Sequence, residues 1–149
     1  MGFKDLYHYT SCGLQDVWLV NGYELEKNAY GEFISIKDLD GLHEVIAASL
    51  CDKTSPLTGL ELRFLRKELD MSQKQLGELF AKDRQSIANW EKKEEVPGLC
   101  DKLIRHIYQE SLDPTAVYAD LVRRLNELDR IEYDGLKFET ASGAWRKAA

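Results

Sequence analysis

The 149-residue chain predicts an α+β fold that is mainly helical. Three observations carry this. Asn21-Gly22 sits between short apolar runs in a strand-rich opening, Thr58 and Ser72 each open a capping box ahead of an amphipathic stretch, and Asp134-Gly135 marks a second hairpin near the end. They divide the chain into a strand-rich extension over residues 1–57, a helical unit over 58–112, and a closing helix with β-hairpin over 113–149.

In chain order, residues 17–20 and 23–26 flank Asn21-Gly22, whose left-handed backbone suits a type I′ turn, so they predict a hairpin. A third strand is expected at 33–36. Leu42, Ile46 and Leu50 then fall at i, i+4 and i+8, the stripe of a short helix ending near Lys53, before Ser55-Pro56 interrupts the chain. Thr58 with Glu61 and Ser72 with Gln75 match S/T-x-x-E/Q, the arrangement in which cap hydroxyl and N3 side chain satisfy amides that the helix leaves orphaned. Leu62, Leu65 and Leu69 line the first of these helices, and Leu76, Leu79 and Phe80 the second. A third runs over about 84–92 with Ile87 and Trp90 inward, capped by Asp83. After Pro97-Gly98 a fourth is expected to turn Leu99, Leu103 and Ile107 inward. Asp113-Pro114 opens a fifth, with Val117, Leu121, Leu125 and Leu128 on one face. The strands 131–133 and 136–138 straddle Asp134-Gly135.

Composition excludes several classes. The charged and apolar fractions, 31% and 44%, are those of a folded globular chain and not of a disordered one. No apolar stretch is long enough to span a bilayer and the opening residues lack the features of a signal peptide, so a cytoplasmic location is expected. Cys12, Cys51 and Cys100 form no CxxC spacing, which argues for reduced thiols and no bound metal. Pairing His8 with Cys12, or His43 with Cys51, likewise lacks the spacing of metal ligands. Cys100 and His106 lie six positions apart on a helix and cannot share a face. With no glycine-rich phosphate loop and no H-E-x-x-H, nothing in the chain marks an enzyme or a cofactor site.

The net charge of −6 runs against nucleic-acid binding, which needs cations for phosphates. Its distribution answers the objection: residues 1–57 carry 4 basic and 9 acidic side chains, whereas residues 58–110 carry 10 of each. Within that neutral stretch two short helices are joined by Ala81-Lys82-Asp83, the spacing with which a helix-turn-helix lays its second helix in a major groove about 12 Å wide.

The residues 65–76, LRKELDMSQKQL, followed by 86–92, SIANWEK, resemble the phage-repressor/Cro-type family, also called XRE, whose pattern is LR-x-x-L-x-x-SQ and then I-x-x-W/Y-E. The match covers about a third of the chain. It implies a five-helix Cro/repressor-like helix-turn-helix domain that represses transcription from a palindromic double-stranded DNA operator, as a homodimer. Gly77 departs from the alanine usual there and suits a close approach of the two helices at a propensity cost of about 1 kcal/mol. Asp83 places an acid at the turn, where it faces the helix amides.

In this frame the second helix begins at Ser72-Gln73, where free amides and the positive end of the helix dipole suit a backbone phosphate, with Gln73 donating beside them. Since Ile87 and Trp90 point inward, Arg84, Gln85, Ser86 and Asn89 are the candidate base readers: Gln and Asn pair with adenine, Arg with guanine. Lys82, Lys92 and Lys93 flank them as phosphate contacts. Alone, Q-S-x-x-N would read as the wetted face of an amphipathic helix; the helix-turn-helix frame reverses that preference. Trp90 is read as a core residue and not as a stacking platform.

A rival reading is an antitoxin that binds a toxin protein and represses its own operon. A strand-rich extension ahead of a Cro-type unit is similar to the arrangement in MqsA-type antitoxins, although the CxxC pairs that hold zinc there are absent here. The acidic extension would suit a basic toxin, or simply solubility.

Overall fold

The computed structural model describes residues 6–113 and 135–148. It is an α+β fold, mainly helical, with five helices and three two-stranded antiparallel sheets among the described residues. Beyond its cap at Asp113, the helix expected to end near residue 130 lies outside those residues, as does the strand over 131–133. No described helix is long and apolar enough to cross a membrane.

The N-terminal strands form, but not with the partners their local signal predicts. β1 (Tyr7–His8) pairs with β2 (Trp18–Leu19), and β3 (Tyr23–Asn28) pairs with β4 (Gly31–Ile36). Asn21-Gly22 therefore links two sheets and closes neither. A type I′ turn needs positive φ at both central residues; Gly22 has φ +82°, whereas Asn21 is not among the residues with positive φ. Pairing β2 with β1 wins because it folds Tyr9 and Leu19 onto the interior, where both are buried.

α1 (Leu39–Asp52) starts at Asp38, whose carboxylate accepts the Gly41 amide at 3.2 Å, and it buries Ala47 and Leu50 with Leu42 and Ile46 partly covered. α2 (Gly59–Glu68) and α3 (Gln73–Leu79) both open with the complete reciprocal capping box expected of Thr58 with Glu61 and of Ser72 with Gln75. Both end alike. Asp70 and Ala81 take left-handed backbone (φ +56° and +53°), and the amides of Met71 and Lys82 reach back to the carbonyls of Arg66 and Gly77 at 3.1 and 2.9 Å. Each is a Schellman stop followed at once by the next cap. α4 (Arg84–Trp90) is capped by Asp83, as the sequence predicts.

α5 (Gly98–Ser111) corrects part of one expectation: Ile107 is buried as read, but Leu99 is 76% exposed and Leu103 only half-buried, and the inward face is Cys100, Ile104, Ile107 and Tyr108. The helix is rotated by one residue because Asp101 turns inward, its Oδ2 accepting the buried Leu57 amide at 2.8 Å. Arg105 pairs with the same carboxylate and donates to the carbonyls of Lys53 and Ser55. That clasp joins the link between α1 and α2 to α5. One apolar core, with Leu57, Leu62, Leu65, Leu76, Ile87 and Ile104 fully enclosed, also takes in Leu14, Ala47 and Leu50 from the N-terminal part.

Of the hairpin expected about Asp134-Gly135 only the second strand falls among the described residues, and there residues 136 and 137 are not strand while Phe138 begins a different hairpin. β5 (Phe138–Ala141) pairs with β6 (Ala144–Lys147), so Phe138 faces Lys147 across a turn at Ser142-Gly143, where φ is +55° and +81°. Both central residues are left-handed, as a type I′ turn demands. Ser-Gly between residues 138–141 and 144–147 was the available signal.

Candidate nucleic-acid interface

α3 and α4 form a compact pair joined by only residues 80–83. The Lys82 amide returns to the Gly77 carbonyl, and a Cβ on residue 77 would stand 2.6 Å from the Lys82 carbonyl oxygen. Glycine at 77 thus admits the turn backbone itself, a closer cause than the packing of two helix faces. Asp83 then accepts both the backbone amide and the hydroxyl of Ser86, each at 2.8 Å. These bonds, the side-chain one first, hold the Asp83 carboxyl below its ordinary value.

On α4 the inward face is Ile87, fully buried, with Trp90 partly covered and edge-on to Phe80 at 5.6 Å between ring centres. Trp90 is thus packed against the core and the residue that closes α3, in keeping with its reading as a core residue. Arg84, Gln85 and Asn89 are exposed on the far side, and Gln85 Nε2 donates to Asn89 Oδ1 at 3.0 Å. That bond lines up two amide side chains and leaves outward the Gln85 oxygen and the Asn89 nitrogen, one acceptor and one donor. Ser86 stands apart from the other three: it is half-buried and its hydroxyl proton is committed to Asp83, so as a base reader it retains only its acceptor lone pairs.

The expected phosphate contacts also separate. Ser72 is exposed, and its box accounts for its own amide and that of Gln75, leaving the Gln73 and Lys74 amides beyond the reach of the box. The Gln73 side chain turns inward to the Glu91 carboxylate, 3.3 Å from Oε2 and 3.5 Å from Oε1, so its amide nitrogen is partly spoken for. Lys82, Lys92 and Lys93 are exposed. Neither Lys92 nor Lys93 has an ion-pair partner among the described residues.

Glu91, which enters the sequence reading only as the closing residue of the motif, carries a role that the sequence did not assign. It is buried against Arg66, whose Nη2 donates to it at 2.8 Å and whose Nη1 donates to the Met71 carbonyl at 2.8 Å. One guanidinium therefore ties together α2, the stop before α3 and the end of α4. The available signal was a charge directly after a core residue in each case, Leu65-Arg66 and Trp90-Glu91. A second tie is backbone to backbone: the Gly59 amide donates to the Lys93 carbonyl at 2.9 Å, and a Cβ on residue 59 would meet the Trp90 carbonyl oxygen at 2.6 Å.

Among the described residues no cluster of His, Cys, Asp or Glu is arranged to hold a metal ion. Cys100 is buried and its thiol is pushed up to about 12, by burial first and then by Asp101 and Glu91, which leaves it an unreactive core thiol at neutral pH. The chain matches no family model, no curated protein and no solved structure in comparisons with each.

Proposed function

We propose that this chain is a sequence-specific DNA-binding repressor of the phage-repressor/Cro type, with α3 and α4 as its helix-turn-helix and α4 as the reading helix. The observation that carries the reading is the exposed face of α4. Arg84, Gln85 and Asn89 project away from a helix whose other face, Ile87 and Trp90, is anchored, and two of the three are pre-aligned by a hydrogen bond. Side chains of this kind on a rigid short helix suit base edges in a major groove. Lys82 lies at one end of the helix and Lys92 and Lys93 at the other, placed for phosphates on either side.

One such unit reads only a few base pairs, so the operator is palindromic and the protein acts as a homodimer. Selection of bound sequences from a random duplex pool tests the proposal. Enrichment of an inverted repeat with half-sites spaced by about one helical turn is expected, and a pool that stays unenriched overturns it.

A second reading, an antitoxin that also binds a toxin protein, draws on β3 and β4. That hairpin stands as a two-stranded sheet with Leu25 67% exposed and Phe33 and Tyr30 also open, and an isolated hairpin of this size is marginal without a partner. A small basic protein encoded beside this chain and co-purifying with it would favour this reading.

A further inference from the structure

We infer that the groove between the N-terminal loop and the α2 and α4 helices is a binding site for a small organic anion with an apolar body. Its volume is about 720 Å³, within the roughly 300–1,000 Å³ range of small-molecule sites. Leu14 on the loop, Leu60 on α2 and Ala88 on α4 give it apolar walls, and Arg66, Gln73 and Glu91 lie in its lining.

The charges in the lining sort themselves. Lys53 is paired with Glu61 at 2.6 Å and Arg66 with Glu91 at 2.8 Å, so those four cancel. Arg63, Lys92 and Lys93 remain, none with an ion-pair partner among the described residues, facing the same space as Asp16 and Glu94. Three unpaired cations against two acids, beside leucine side chains, fit a single anionic head group attached to a ring or chain. Arg63 supplies the planar fork that binds a carboxylate or sulfonate through two parallel bonds.

Lys92 and Lys93 belong both to this groove and to the flank of α4 assigned to phosphates, so occupancy of the groove competes with operator binding. That regulatory consequence rests on the proposed function. The binding itself does not.

Salicylate, an aromatic carboxylate, is the probe, with benzylamine as the cationic control. Titrated into the full chain and followed by backbone amide shifts, salicylate is expected to give saturable changes centred on residues 60–63 and 88–93, and benzylamine none there. Arg63→Gln, at an exposed position with no ion-pair partner among the described residues, is expected to weaken salicylate by about tenfold or more through loss of the charged fork, with the melting temperature unchanged. No saturable shift, an unchanged affinity in Arg63→Gln, or equal binding of benzylamine overturns the site. Release of the selected operator by salicylate from wild type, at concentrations that leave Arg63→Gln bound, supports the competition. Salicylate binding without any operator binding retires the repressor reading while the site stands, and operator binding without salicylate binding does the reverse.

Discussion

The guanidinium of Arg66 meets the carboxylate of Glu91 through two nitrogens, Nη2 at 2.8 Å and Nε at 3.2 Å, with the two side chains only 10% and 4% exposed. A charge pair this deep is costly to assemble and more costly to break, because removing either partner strands the other away from water. Its value lies in position. The pair fixes the end of α4 relative to α2, and so fixes where the outward side chains of α4 are aimed.

Arg66→Met or Glu91→Leu alone is expected to destabilise the fold by about 3–5 kcal/mol, whereas the double substitution recovers most of the loss by replacing the pair with apolar contacts. Urea unfolding measures all three. Single variants with wild-type midpoints would show that the pair is not coupled to folding.

Two glycines are expected to resist alanine. At Gly59 and Gly77 the added methyl would press on backbone carbonyls, of Trp90 and of Lys82 respectively, each at 2.6 Å. Backbone yields less readily than a side chain, so each substitution is expected to cost about 1–3 kcal/mol despite the better helix propensity of alanine. Thermal unfolding of the two variants gives the answer, and a gain in stability at either position would contradict the packing described.

Ala81 makes the opposite case. It sits in left-handed backbone at φ +53°, where a Cβ is unwelcome. Ala81→Gly is expected to stabilise by about 1 kcal/mol without altering DNA affinity, as measured by chemical denaturation and by operator titration.

The cap on α4 depends on pH with a definite sign. Asp83 has a folded-state value depressed below its ordinary 3.8, so its contribution is present above that value and is lost as the pH falls through the folded one. Acidification should loosen the N-terminal turn of α4. Asp83→Asn keeps an accepting oxygen and should flatten this acid dependence, while Asp83→Ala should lose the cap at every pH. Hydrogen exchange at the Ser86 amide reports it directly, and an amide equally protected in Asp83→Ala would count against the cap.

On the selected operator, Asn89→Ala and Gln85→Ala are each expected to cost about 1–3 kcal/mol at one base-pair position and to relax the preference there. Lys92→Ala should weaken all sequences alike and lower the salt slope by about 1. If all three variants keep wild-type affinity and preference, α4 is not the reader.

What the sequence determined by itself was local. Each capping box needs two side chains three positions apart, and each of those at Thr58 and Ser72 forms as read. The cap at Asp83, the inward turn of Ile87 and the outward turn of Arg84, Gln85 and Asn89 were legible for the same reason, since helical periodicity places neighbours without reference to the rest of the chain.

The tertiary structure decided whatever required a choice between locally acceptable alternatives. Asn21-Gly22 is a sound hairpin turn in isolation, yet Trp18 and Leu19 pair with Tyr7 and His8, an arrangement in which Tyr9 and Leu19 are both buried. Stripes starting at Leu99 or at Cys100 suit the periodicity of α5 almost equally, and the Leu57 amide waiting for Asp101 chose between them. Gln73 reads as a free donor until Glu91 is seen beside it, and Glu91 has no assigned role until Arg66 is. Burial and the pairing of buried polar groups are properties of segments that meet across the fold, so the free energy that settles them depends on contacts that no short window of sequence contains.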